Sequence, residues 1–261
     1  MRLPIAFLLL LCSAPVLAQT RPLRTEEATT LAAGSIRLET GFDYITDEPN
    51  FTTQAERDFY AGPALALTYA PGDRAEFDIE WVVRVGAIDD PDFGSASDWG
   101  DVTLRGKVRF TDSDPAKPAI GARFSINLPE TSYGEGLGTN TLRMTAEMLG
   151  TFHVGSGRIH ANAGIALLDD PSRAHAQNDF FSFGLAFEQP LGARWTALAE
   201  AAGLAGSQGS PGADARSEAR AGAAWGTSRW RFDFALRHGL SPSAGNWGAT
   251  TGFTYLIRPR S

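Results

Sequence analysis

Residues 74–85 read Arg74-Ala75-Glu76-Phe77-Asp78-Ile79-Glu80-Trp81-Val82-Val83-Arg84-Val85. In an extended chain successive side chains point to opposite sides, so Arg74, Glu76, Asp78, Glu80 and Arg84 share one face and Ala75, Phe77, Ile79, Trp81, Val83 and Val85 the other. The same alternation recurs upstream and downstream, over Ser35 to Ile45, Arg57 to Tyr69, Trp99 to Phe110, Ala119 to Leu128 and Thr141 to Val154. It continues over Ile159 to Leu168, Phe180 to Gln189, Arg194 to Gly203, Ala215 to Trp225, Arg229 to His238 and Trp247 to Arg258. A chain that repeats this pattern in every strand needs water on one side and lipid on the other. The reading is an all-β fold: a transmembrane up-and-down antiparallel β-barrel of about 12 strands, spanning 35–261.

The connectors strictly alternate in length. Short ones, such as Ala70-Pro71-Gly72-Asp73, Gly155-Ser156-Gly157 and Gly226-Thr227-Ser228, fit periplasmic turns; long ones, such as Thr46 to Glu56, Gly86 to Asp98, Pro129 to Asn140 and Leu204 to Asp214, fit outside loops. On that map Trp195, Trp225, Trp230 and Tyr255 collect at the periplasmic strand ends, and Phe42, Tyr44, Phe181 and Trp247 near the outer rim, as amphipathic rings do at membrane boundaries. The terminal strand, with Tyr255 and Ile257 on one face, is similar to the signal read by the barrel assembly machinery, although it continues into Arg258-Pro259-Arg260-Ser261. Pro63 inside the second strand requires a bulge or a position at the rim, because a closed barrel has no free edge for a missing N–H. Small outward residues on strands nine and ten, Ala197, Ala199, Ala201 and Ala219, Ala221, Ala223, suit either a weakly apolar lipid face or a contact in a homo-oligomer.

Met1-Arg2, the apolar run Ile5 to Leu11 and Val16-Leu17-Ala18 have the order of a secretory signal peptide, 1–18, cut after Ala18. Residues 19–34 lack alternation, and either hang in the periplasm or tuck into the barrel as a plug. The only cysteine, Cys12, falls in the leader, so no disulfide or cysteine metal site is expected. A net charge of −7 is unlike that of a nucleic-acid binder. No phosphate loop, zinc spacing or nucleophile elbow is present, and neither a cofactor nor a catalytic or metal site is expected.

The inward positions carry the chemistry. The candidate lumen-lining and solute-binding residues are Asp78, Glu80, Asp101, Arg105, Lys107, Arg109, Arg123, Arg143, Glu147, Arg216, Arg220, Arg231 and Arg237. Arg37, Glu39, Asp43, Glu76, Arg84, Asn127, Arg194, Glu200, Glu218 and Asp233 fall on the same face. Neighbouring strands can pair such groups, Asp78 or Glu80 with Arg105 or Lys107, and the pairs either fill the lumen or leave a charged solute path. Acidic loop residues, among them Asp89, Asp90, Glu135 and Asp170, suit solvated loops or divalent cations beside lipopolysaccharide. His153 and His160 flank one turn without a third ligand. His238 with Ser241, Ser243 and Asn246 is the one arrangement that could serve an outer-membrane lipase.

Arg21-Pro22-Leu23-Arg24-Thr25-Glu26-Glu27-Ala28, Leu38-Glu39-Thr40-Gly41-Phe42-Asp43-Tyr44, Trp99-Gly100-Asp101-Val102-Thr103-Leu104, Asn127-Leu128-Pro129, Gly136-Leu137-Gly138-Thr139 and Asn178 to Leu185 together carry a likeness. On these residues the chain resembles the outer-membrane transporter family associated with the meta-cleavage pathway of phenol degradation. The resemblance implies uptake of aromatic compounds and supplies no catalytic or binding residues. The expected function is therefore a passive outer-membrane channel for small molecules, aromatic ones by resemblance, and not an enzyme. A closed structural or surface-interaction barrel is the alternative. The expected surroundings are the outer membrane of a Gram-negative bacterium, its lipids and lipopolysaccharide, the barrel assembly machinery and a small-molecule solute, with no nucleic acid.

Overall fold

The computed structural model describes residues 21–112, 114, 116–206 and 209–259. The expected signal peptide, 1–18, and the first two residues of the 19–34 segment lie outside them. Fourteen strands are present among the described residues: β1 (Ile36–Pro49), β2 (Glu56–Gly72), β3 (Ala75–Val82), β4 (Val85–Asp90), β5 (Gly94–Asp98), β6 (Val102–Arg109) and β7 (Ala119–Leu128). The second half holds β8 (Arg143–Val154), β9 (Gly157–Asp169), β10 (Gln177–Pro190), β11 (Trp195–Ala205), β12 (Ser217–Gly226), β13 (Trp230–Gly239) and β14 (Trp247–Ile257). β4 prolongs β3 and β5 leads into β6, so the wall is built of twelve antiparallel staves. It closes on β1, where Ile36 lies opposite Ile257 of β14 on one side and Tyr69 of β2 on the other.

Burial is inverted relative to a water-soluble protein. On β10 the outward Phe181 and Leu185 are 54% and 58% exposed, whereas the inward Glu188 is 1% exposed. Phe77, Phe124, Met148, Ile165, Phe232 and Phe234 continue the exposed apolar belt around the wall. A belt of this extent has no stable partner in water and suits hydrocarbon. Near the short-turn rim Trp195, Trp225, Trp230, Phe232 and Phe253 form a chain of ring contacts with centroids 4.8–6.4 Å apart. Tyr255 stands opposite Trp230 in the same zone.

The alternation breaks at Pro63. The β1–β2 register shifts between Gly41 and Asp43, which places Gly62 and Pro63 in a bulge opposite Phe42. There Gly62 N–H donates to the Arg84 carbonyl, and the Pro63 carbonyl accepts from Val83 N–H at 2.9 Å. The proline thus sits where the ladder makes no demand on its nitrogen. Past this point β3 breaks at Val83–Arg84, and Arg84 leaves the lumen face: its guanidinium stacks on Trp99 at 5.5 Å and reaches Ser97. Arg194 also leaves the lumen, lying exposed in the β10–β11 turn. The stretch expected as a long loop, Gly86 to Asp98, is instead mostly the β4–β5 hairpin, which carries the wall beyond the rim by pairing Asp58 with Ile88.

Candidate functional site

From Gly34 at the short-turn rim, residues 33 to 21 climb inside the barrel, held by side chains of nearly every stave. Lowest, Ala33 N–H donates to Asp73 at 2.8 Å and Leu31 N–H to Glu76. Higher, Ala28 N–H donates to Thr151 at 2.9 Å, and Arg24 and Thr25 N–H both donate to Glu200. At the top the Arg21 guanidinium reaches Glu80 at 3.3 Å and Asp43 at 3.4 Å. An irregular segment has unpaired backbone N–H groups, and inward carboxylates supply the acceptors that a strand partner otherwise would.

Charge is sorted along this segment. Its two arginines lie in the upper half: besides Arg21, Arg24 reaches Glu218 at 3.5 Å. Its two glutamates lie lower. Glu26 binds Lys107 at 2.9 Å and Arg123 at 3.2 Å, and Glu27 binds Arg158 at 3.2 Å. Arg158 also bonds Glu188, which approaches His160 Nε2 at 3.5 Å, and His160 Nδ1 pairs with Thr151 at 3.0 Å. Buried pairs add little net stability, but stripping one partner from such a pair costs about 3–5 kcal/mol. The network therefore specifies where the segment sits.

Apolar side chains seat the segment as well. Leu23 packs on Ala186, Leu198 and Ala224; Ala28 on Ala119 and Leu149; Leu31 on Ala70 and Leu256. Two inward glycines make room. A Cβ on Gly41 would lie 2.5 Å from the Arg21 guanidinium, and one on Gly184 2.5 Å from Thr25 Oγ1. Beside Glu26 the remaining cavity is ≈ 20 Å³, lined by Arg37, Glu76, Asp78, Arg105, Lys107 and Arg123. That is space for about one water molecule.

The residues singled out from the sequence divide into three groups. Arg105 bridges Asp78 at 2.5 Å and Glu80 at 3.0 Å, an across-the-ladder pairing. Lys107 adds Glu76 at 2.9 Å, and Arg123 adds Glu147 at 2.6 Å. Arg109 bonds Thr30 and the Asp73 carbonyl at the foot of the segment. Higher in the lumen, Arg220 and Arg237 converge on Glu218 at 2.7 and 2.8 Å, whereas Arg231 is buried near the short-turn end of β13, opposite Thr254.

The other three residues reach the loop end. Asp101 accepts from Glu130 N–H and Thr131 N–H, Arg143 reaches Thr139 and the Gly212 carbonyl, and Arg216 reaches Glu48. Arg158, Glu188 and the segment's own charges complete the lumen and were not singled out. Arg158 precedes the expected start of its strand, and residues 21–34 have no periodicity to mark their depth.

The long loops are tied to one another. Asp90 accepts from Asn50 at 2.8 Å and Arg57 at 3.1 Å, while Arg57 also donates to the carbonyls of Glu135 and Gly136. Gly136, at φ +67°, lies so close to Asn50 that a Cβ would fall 2.0 Å from its Oδ1. Asp170 accepts from Ser172 and Ser210, and these hydroxyls, with Arg173 3.3 Å away, hold its carboxyl down to about 2. Asp90 and Asp170, considered above as loop acids for cations, thus spend their oxygens on the protein.

The arrangement considered for a lipase is not assembled. His238 packs against Trp247 with ring centroids 4.4 Å apart, Ser241 Oγ accepts from Ser217 N–H, and Ser243 Oγ donates to the Ala215 carbonyl. His153 is exposed near the turn, whereas His160 is buried against Thr151 and Glu188.

No protein-family model matches the chain, and no curated protein does either. Among solved structures, the COG4313 outer membrane channel from Pseudomonas putida F1 superposes with a TM-score of 0.68 at 15% identity, covering 88% of this chain and 98% of that one. The KdgM porin superposes at 0.53 and 7% identity, covering 86% and 99%. The translocator domain of the autotransporter NalP from Neisseria meningitidis superposes at 0.52 and 15% identity, covering 86% and 89%. At these identities the likeness is one of fold: this chain shares the closed antiparallel barrel of outer-membrane proteins.

Proposed function

We propose that the protein is an outer-membrane channel for small molecules whose lumen is closed by its own amino-terminal segment. The observation that carries this reading is the non-covalent occupant of the lumen. Residues 21–34 fill a charged bore, yet among the described residues their covalent link to the wall is through Ser35, so the segment can leave without breaking a strand pairing. Two solved barrels of the same fold are a channel and a porin by name, which supports the reading. A lumen lined by charges of both signs, inside low-dielectric walls, concentrates small polar or ionic solutes once water enters. Aromatic cargo rests on the resemblance to the phenol-degradation family. The short-turn rim, where the segment enters, faces the periplasm on this reading, and the belt faces outer-membrane lipid and lipopolysaccharide.

The test is conductance of the refolded barrel in planar bilayers, with and without residues 19–34. Current through the shortened barrel and little through the full one is the expected result. Bilayers as tight as controls in both cases would overturn it. The density of buried ion pairs favours one second reading, a permanently closed structural barrel, and that same negative result would select it.

A further inference from the structure

The geometry points to Lys107 and Arg123 as a binding site for the carboxylate of a small solute, a site that Glu26 occupies while the barrel is plugged. This deepens the channel reading and rests on it.

Glu26 presents one carboxylate oxygen to Lys107 Nζ at 2.9 Å and the other to an Arg123 nitrogen at 3.2 Å. Its backbone is gripped too. With the Asn162 amide turned to suit its neighbours, that side chain donates to the Glu26 carbonyl at 2.8 Å and accepts from Glu26 N–H at 3.0 Å. The site is buried: the Lys107 and Glu26 side chains are each 4% exposed.

The fixed donors of the wall show what can replace Glu26 when the segment leaves. Around the small cavity the wall supplies Arg37, Arg105, Lys107 and Arg123, and each of them is already paired with a wall carboxylate: Glu39, Asp78 and Glu80, Glu76, and Glu147 respectively. Lys107 keeps Glu76 and Arg123 keeps Glu147, but each loses its second partner. Those wall pairs hold the two cations in place, so the donors that Glu26 vacates stay aimed at one point, and a planar carboxylate matches the paired Lys and Arg donors as Glu26 does. A solute carboxylate entering here competes with Glu26, so cargo and plug exclude one another. Binding of the cargo then favours the open barrel by its preference for that state.

The experiment places the refolded full chain in planar bilayers at fixed ionic strength and compares benzoate with benzamide, which has the same ring without the charge. Release of the segment is read independently by trypsin cleavage after Arg24. Benzoate is expected to raise both open events and cleavage about tenfold, the effect of one displaced charge-assisted hydrogen bond, and benzamide to leave both unchanged. Lys107→Met is expected to lower the benzoate response about tenfold, with Arg123→Gln as the substitute should that variant fail to fold. Glu26→Gln is expected to open the barrel without benzoate. Equal effects of benzoate and benzamide, in a chain whose 19–34 deletion conducts, would overturn the carboxylate site and leave the channel standing. Absence of current from the deletion would overturn the channel, while benzoate-dependent cleavage would still support the site.

Discussion

Glu200 accepts the backbone N–H of Arg24 on both carboxylate oxygens, at 2.8 and 3.0 Å, across 176 positions of sequence. A strand side chain here completes the hydrogen bonding of an irregular segment, and Thr25 N–H joins the same carboxylate. Glu200→Ala removes these acceptors while β11 keeps its full ladders to β10 and β12. Buried N–H groups left without a charged acceptor cost about 1–3 kcal/mol each. The expected outcome is a barrel of unchanged strand content that conducts at least tenfold more often than the parent. Unchanged single-channel records would show that Glu200 does not hold the segment.

The loop end has its own fastening in Arg57 and Asp90, whose side chains are 3% and 0% exposed. Asp90→Asn leaves a buried guanidinium without its counter-ion, a loss of about 3–5 kcal/mol. The cost falls on the carbonyls of Glu135 and Gly136, which Arg57 also holds, so the loop over 129–142 should loosen. Faster proteolysis and hydrogen exchange confined to that loop, with the wall protected, is the expected pattern.

A pH dependence follows from Asp170. Ser172 and Ser210 hold its folded carboxyl at about 2, below the roughly 3.9 of an unfolded aspartate. A lowered pKa contributes stability that is present above the unfolded value and lost as pH falls through the folded one. Hydrogen-exchange protection at residues 170–176, taken relative to the intrinsic rate at each pH, should therefore hold at pH 5 and be lost as the pH falls from about 4 to 2. Ser210→Ala should move that loss to higher pH.

The wall was legible in the sequence because its physics is local: one residue in lipid, the next in water, repeated from Ser35 to Arg258. Legibility ended where a bulge shifted the phase, which is why Arg84 reads as inward yet stacks on Trp99. It also ended at Gly86 to Asp98, where strand pairing with β2 outlasts the membrane and only the three residues between Asp90 and Gly94 turn. Asp78, Glu80 and Arg105 met as their register allows, because strand neighbours can be paired from alternation alone. The plug could not be placed this way. Its partners lie from Asp43 to Leu256, and nothing in Arg21 to Gly34 repeats with a period that would state its depth.

Leu23 separates the stability of the plug from that of the wall. Its side chain is 5% exposed and fills a seat made by Ala186, Leu198 and Ala224 on β10, β11 and β12. Leu23→Ala removes that packing from the segment alone, at about 2–5 kcal/mol for a fully buried leucine. Leu149→Ala makes a similar hole, but in β8, where Leu149 is 1% exposed beneath Ala28 and beside Ala119. If the segment is a removable part, L23A should raise conductance and trypsin cleavage after Arg24 while thermal unfolding of the barrel stays at the parent temperature. L149A should lower that temperature, because its cost is borne by a strand bonded to two neighbours. Equal destabilisation of the barrel by both variants would mean that segment and wall melt as one unit, and the plug would then be a core rather than a gate.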